Sequence, residues 1–320
     1  MKKRICAVVL AALLLFASGC SRQTASGGPY KMYLVAKSTT TEFWKSVFAG
    51  ANAAKSEYNV DLTVWGPDTE EDYEAQNEYI RQAVADGADA IVFSAISYTK
   101  NAQAIDEAAD AGVTVVVIDS DVNSEGVVAR LGTDNVQAGR MCARAALETD
   151  FEKIVVGIVN CDVETQNCQE RERGFRVVMS GDKRVEAIYT VNVPTDAALA
   201  QQAAEQLLTE HPEINVLVGF NEPLAVGTAM AVERLDLRGQ VYEVAFDTNP
   251  ICVELLQKGA VSALIAQNPY AMGYLGVEKA WQSIQGQRFD ADSLINTTTS
   301  IITRETMFTI ESQKAIFSFD

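Results

Sequence analysis

Along this chain, polar residues stand at the ends of short apolar runs: Lys37, Ser94, Asp119, Ser120, Asn160, Asn221, Asp247 and Gln267. If those runs are strands of open α/β sheets, the residues gather at the strands' carboxyl ends, where such folds bind ligands. Carboxylates, amides, hydroxyls and an ammonium converging there make a wet cleft with many hydrogen bonds. That set suits a polyol, because one carboxylate can accept from two neighbouring hydroxyls. Phe43 and Trp44 could add a flat wall for sugar C–H faces, although core packing is the commoner fate of aromatics near a helix start. Groups for bond-making chemistry are missing. There is no phosphate loop, no Gly-x-Ser-x-Gly elbow and no zinc motif, and His211 is the only histidine. It precedes Pro212 at a predicted helix end and reads as a capping residue. These residues predict a binding protein and not an enzyme, with no cofactor and no metal.

The elements that must position them follow a regular alternation. Runs at 32–36, 62–65, 90–94 and 114–119, rich in Val, Ile and aromatics, read as buried parallel strands. Amphipathic stretches at 42–58, 72–86 and 99–111 lie between them, and Gly87 and Gly112 supply helix stops. A second series has strands at 154–160, 185–191, 216–220 and 242–246, with helices at 166–179, 196–210, 223–235 and 250–258. Strict β-α alternation predicts doubly wound parallel sheets. About ten strands are many for one open sheet, so two α/β lobes are expected. The run 127–131 followed by Gly132-Thr133-Asp134-Asn135 reads as a crossing between lobes, with Asp134 or Asn135 capping the next helix.

Composition narrows the class. The chain has 320 residues, 48% of them hydrophobic and 22% charged, and a formal charge of −17. It is long enough for two cores, and its acidity argues against nucleic acid as a partner. At the N-terminus Lys2, Lys3 and Arg4 precede an apolar run over 5–16, then Ala17-Ser18-Gly19 and Cys20. A run this short fits a signal peptide over 1–19 and not a permanent span. The Ala-Ser-Gly-Cys ending resembles a bacterial lipoprotein box, with Ala17 in place of the usual Leu. That resemblance makes Cys20 the lipidated residue and 20–29 a flexible tether to the membrane. Among the other cysteines, Cys161 and Cys168 bracket one short loop. They read either as a disulfide in an oxidising compartment or as two buried thiols.

Several stretches then carry a wider resemblance. They are Thr41-Glu42-Phe43-Trp44, Ala88-Asp89-Ala90-Ile91-Val92, the run 114–119, Thr133-Asp134-Asn135, Arg171-Glu172-Arg173-Gly174-Phe175, the run 244–247 and Ile265-Ala266-Gln267. In their order and spacing the chain resembles the type I periplasmic binding proteins of the ribose-binding branch, receptors for ABC importers. The resemblance implies two lobes joined by three crossings, near Thr133, Asp247–Thr248 and Gln267–Pro269. The lobes are taken as 30–133 plus 268–297 and 134–267 plus 298–320.

Carried over by position, the resemblance implies ligand contacts at Phe43, Trp44, Ser94, Asp119, Thr195, Asn221, Asp247 and Gln267. Ser120 stands where the ribose pattern has one arginine, and Gln169 aligns with a second, for which Arg171 could substitute. Arg171 and Arg173 also read as surface ion pairs with Glu170 and Glu172. Lys37 replaces an expected serine. The first lobe is similar in places to receptors for the signal autoinducer-2, which share a cleft lysine. Gln166-Asn167 follows that pattern too, with Thr165 where an aspartate is expected. With those arginines replaced, plain ribose is not expected to be the best ligand. Two functions fit: delivery of a sugar or polyol by a monomeric receptor to an ABC permease, or presentation of the closed form to a sensor kinase or chemoreceptor. A repressor of this fold would need a DNA-binding element where the leader stands.

Overall fold

The computed structural model describes residues 28–161 and 164–317. The leader and Cys20 lie outside them.

The first lobe opens with β1 (Lys31–Val35), α1 (Glu42–Tyr58), β2 (Asp61–Trp65), α2 (Tyr73–Ala85), β3 (Ala90–Phe93), α3 (Ala102–Asp110), β4 (Thr114–Ile118) and β5 (Val127–Gly132). The second contains α4 (Asn135–Leu147), β6 (Ile154–Asn160), α5 (Gln166–Met179), β7 (Val185–Asn192), α6 (Ala197–Glu210) and β8 (Val216–Gly219). It continues through α7 (Glu222–Arg234), β9 (Tyr242–Phe246), α8 (Pro250–Lys258) and β10 (Ala263–Ala266). The chain then returns to the first lobe for α9 (Pro269–Ile284) and β11 (Leu294–Asn296), and ends in the second with β12 (Ser300–Thr303) and α10 (Ile310–Ile316).

Two six-stranded sheets result, ordered β11-β5-β4-β3-β1-β2 and β12-β10-β9-β8-β6-β7. Every pairing is parallel except β12 against β10. Helices cover both faces, which is why the central strands β3, β6, β8 and β10 are buried throughout and read as unbroken apolar runs. Helix starts are fixed locally. Thr41 accepts from the Trp44 amide, Asp134 from that of Gln137 and Asn221 from that of Leu224; losing such a cap costs about 1 kcal/mol.

The chain passes between lobes at residues 133–134, 267–268 and 297–299. The crossing expected at Asp247–Thr248 is corrected. There β9, α8 and β10 form an ordinary βαβ unit, since β10 pairs in parallel with β9. Both strands belong to the second sheet, and the segment between β11 and β12 makes the third crossing instead.

Candidate functional site

Asp119 and Asp247 occupy equivalent places in the two lobes. Each follows its lobe's β4-like strand, with its amide bonded to the neighbouring strand: Asp119 to the Leu131 carbonyl (3.0 Å), Asp247 to that of Ile265 (2.9 Å). Both have left-handed backbones, φ 58° and 68°. Aspartate tolerates that region better than most residues, and non-glycine examples concentrate at functional sites. The kink turns each carboxylate off its strand end and into the cleft.

Around Asp119 the first lobe builds a charged cluster. Lys37, just past β1, is 3% exposed. Its Nζ lies 2.9 Å from Glu70 and 3.5 Å from Asp119. Burial works against the ammonium, yet the two carboxylates more than offset it and raise its pKa. Glu70 also accepts from the Trp44 indole at 2.9 Å. Ser94 Oγ donates to Asp119 at 3.1 Å from behind. Across the cleft Asn167 Nδ2 donates to the same carboxylate at 3.1 Å.

Arg171, on α5, is the node of the second lobe and 1% exposed. Its Nε donates to Asn135 Oδ1 (3.0 Å), one Nη to the Phe220 carbonyl (2.8 Å) and the other to Gln267 Oε1 (2.7 Å). The guanidinium lies 4.7 Å from the Phe246 ring centre. Gln267 Oε1 accepts again from Thr133 (2.8 Å), while its Nε2 donates to Asp247 (2.7 Å). Thr133 and Gln267 sit at two crossings, so the network ties the hinge to the cleft.

The lobes are closed on each other. Glu222, at the start of α7, accepts from the backbone amides of Glu42 (3.1 Å) and Phe43 (2.6 Å), the first turn of α1 in the other lobe. A carboxylate there meets the positive end of a helix. At the rim, Thr165 Oγ1 donates to the Ile96 carbonyl and Ser97 Oγ to Glu164. Among the described residues Asn221 Nδ2 is buried without a hydrogen-bond partner. Its amide oxygen is spent on the α7 cap, so the free donor lies in the cleft.

Of the residues singled out in the sequence, Lys37, Phe43, Trp44, Asp119, Arg171, Asn221, Asp247 and Gln267 line one cleft. Four others do not. Ser94 stands behind Asp119, and Ser120 is buried with its amide 3.3 Å from Ser94 Oγ. Thr195 is at the rim, its amide bonded to Glu71. Gln169 is a correction. It lies in a surface hollow with Glu172, Arg173 and Arg176, because α5 buries Asn167, Cys168, Arg171 and Gly174 instead. Arg171 thus brings a guanidinium to the cleft, which removes half of the case against ribose. The surface-pair reading holds for Arg173, 3.5 Å from Glu170, and fails for Arg171. Asn160 is buried and bonds Glu172. His211 is the C-cap residue of α6. The Cys161 and Cys168 sulfurs face each other, with Cα atoms 6.5 Å apart, a spacing that suits a disulfide.

The lining also includes Thr41, Glu70, Asn167, Glu222 and Pro223. Glu70 lies in an acidic loop five residues beyond β2, and nothing local distinguishes it from a solvated charge. Glu222 reads in sequence as a favourable charge at its own helix start, yet it serves another helix. Asn167 carried one signal, the Gln166-Asn167 resemblance.

Burial pushes the Asp247 carboxyl up to about 7, against the opposing pull of Arg171. A carboxyl raised on folding contributes most stability below its unfolded value near 4, and that contribution is lost as pH rises to about 7. Asp247→Asn should therefore gain on the wild type between pH 5 and pH 8, by on the order of 2 kcal/mol. Denaturant titrations of both proteins at the two pH values measure this, and an unchanged difference would contradict it.

Two doubly wound lobes, three crossings and a polar cleft at their facing strand ends define a hinged ligand-binding protein. The chain belongs to the family described as periplasmic binding protein domain, whose model matches residues 32–288. It is 25% identical to the D-ribose/D-allose-binding protein of Pseudomonas aeruginosa, over 94% of this chain and 98% of that one. Among solved structures it is similar to a carbohydrate transporter solute binding protein of Agrobacterium radiobacter in complex with D-arabinose. The TM-score is 0.87 at 26% identity, covering 91% of this chain and 100% of that one. A glucose-galactose binding protein of Geobacillus stearothermophilus is 30% identical, with a TM-score of 0.82 and coverage of 88% and 100%. Membership places the chain among substrate-binding proteins of transport systems and not among enzymes.

Proposed function

We propose that this protein is the extracytoplasmic substrate-binding component of an ABC importer and captures a sugar or sugar-like polyol between its lobes. One observation carries the reading: a buried cleft sets one left-handed aspartate from each lobe beside Asn221, a donor with no partner among the described residues. Carboxylates accept from hydroxyl groups and the amide donates to a ring or hydroxyl oxygen. Closure by Glu222 and Asn167 would bury the ligand and give a permease a distinct surface to read. The names of the relatives, which bind ribose, allose and arabinose, support this class of ligand. In this reading Cys20 carries the lipid anchor, and Cys161–Cys168 is a disulfide formed outside the cytoplasm.

Cys20→Ser tests both parts together. It should leave the membrane fraction, or accumulate as an uncleaved precursor. The soluble domain should be stabilised in a thermal-shift screen by at least one neutral aldose or polyol, by about 2.7 kcal/mol at 100 times its Kd. Retention at the membrane in wild-type amounts would sink the anchor. Silence across the sugar panel would sink the ligand class.

A further inference from the structure

We propose that Glu70 sets the charge class of the ligand: by neutralising Lys37 it fits the cleft to an uncharged hydroxylated ligand and bars the corresponding sugar acid. The proposal rests on the sugar-binding reading and goes further in naming a specificity residue.

A cleft lysine would ordinarily invite a ligand carboxylate. Here its charge is already engaged. Lys37 Nζ is 2.9 Å from Glu70 Oε2, with side chains 4% and 9% exposed. The other Glu70 oxygen holds the Trp44 indole N–H at 2.9 Å, so the carboxylate is fixed in place. Next to it in the chain, Glu71 bonds the Thr195 amide of the opposite lobe, which holds the loop against the closed cleft. The second cation, Arg171, already donates from Nε and from each Nη to Asn135, Phe220 and Gln267, three of its five N–H groups. The lining therefore sets Glu70, Asp119 and Glu222, joined by Asp247 where it is ionised, against Lys37 and Arg171. An entering anion would meet excess negative charge at low dielectric and find both cations already engaged. A neutral ligand keeps the carboxylates as acceptors and meets no repulsion.

Glu70→Gln tests this with little change of shape, because the amide oxygen can still accept from Trp44. The protein is titrated by calorimetry with neutral aldoses and with the aldonic and uronic acids derived from them. Wild type should bind a neutral aldose and bind its acids far more weakly. In Glu70→Gln the acid-to-neutral affinity ratio should rise about tenfold or more, the scale of one charged hydrogen bond. Adding Lys37→Met should return the ratio towards wild type, a coupling that a merely structural role for Glu70 would not produce. An unchanged ratio in Glu70→Gln overturns the proposal, as does a wild type that binds an acid as tightly as its neutral parent. If no member of the panel binds wild type, the sugar reading itself falls.

Discussion

Arg171→Met is expected to abolish measurable ligand binding and to destabilise the second lobe by roughly 3–5 kcal/mol, the range for removing one partner from a buried charge network. The side chain is buried and donates to three acceptors: Asn135 Oδ1, the Phe220 carbonyl and Gln267 Oε1, the last of which keeps Thr133 as a second donor. Each acceptor left unpaired costs about 1–3 kcal/mol. The loss reaches the ligand because Gln267 in turn holds Asp247 at 2.7 Å, and because the guanidinium lies 4.0 Å from Asp119. Lysine should not rescue it, since a single ammonium cannot span a planar fork's three directions. Urea unfolding gives the stability term and calorimetry the affinity. Wild-type stability with methionine at 171 would show that the network is dispensable.

Gly139→Ala and Gly174→Ala should each cost at least about 3 kcal/mol, at or beyond the upper end for overpacking. Helices α4 and α5 pass in backbone contact. A Cβ on Gly139 would strike the Arg171 carbonyl, and one on Gly174 would strike that of Val136. The obstacle is main chain and cannot rotate away. Gly139→Ala has a second consequence, because the atom it displaces belongs to Arg171; the variant should lose ligand affinity as well as stability. The first lobe repeats the device with Gly50 against Tyr270 and Gly273 against Val47, where α1 meets α9. Denaturant midpoints for the four alanine variants check this, and near wild-type values would mean that the helices can separate without penalty.

Glu222 shows why part of the cleft escaped the sequence. An acidic residue beside Asn221 and Pro223 is what any helix start favours, and its local meaning is complete without a second lobe. Only closure brings it to the amides of Glu42 and Phe43, 180 and 179 residues away in the chain. Gln169 failed for a related reason. Carrying the pattern over by position put Gln169 where the arginine is expected, while the helical period of α5 turned Asn167, Arg171 and Gly174 inward.

The sequence by itself determined the two α/β series, because helix and strand periods and cap residues act over a few neighbours. It also determined the strand-end positions of Lys37, Asp119, Asn221, Asp247 and Gln267, since the end of an apolar run in a doubly wound sheet is a fixed place in space. Tertiary structure alone decided which charges meet. Glu70 reaches Lys37, and Arg171 joins Gln267, through loops and hinge segments whose course no local pattern dictates. Where the chain crosses between lobes was decided the same way, by strand pairing: β10 pairs with β9, and Asp247 therefore ends a strand within one lobe instead of leading to the other.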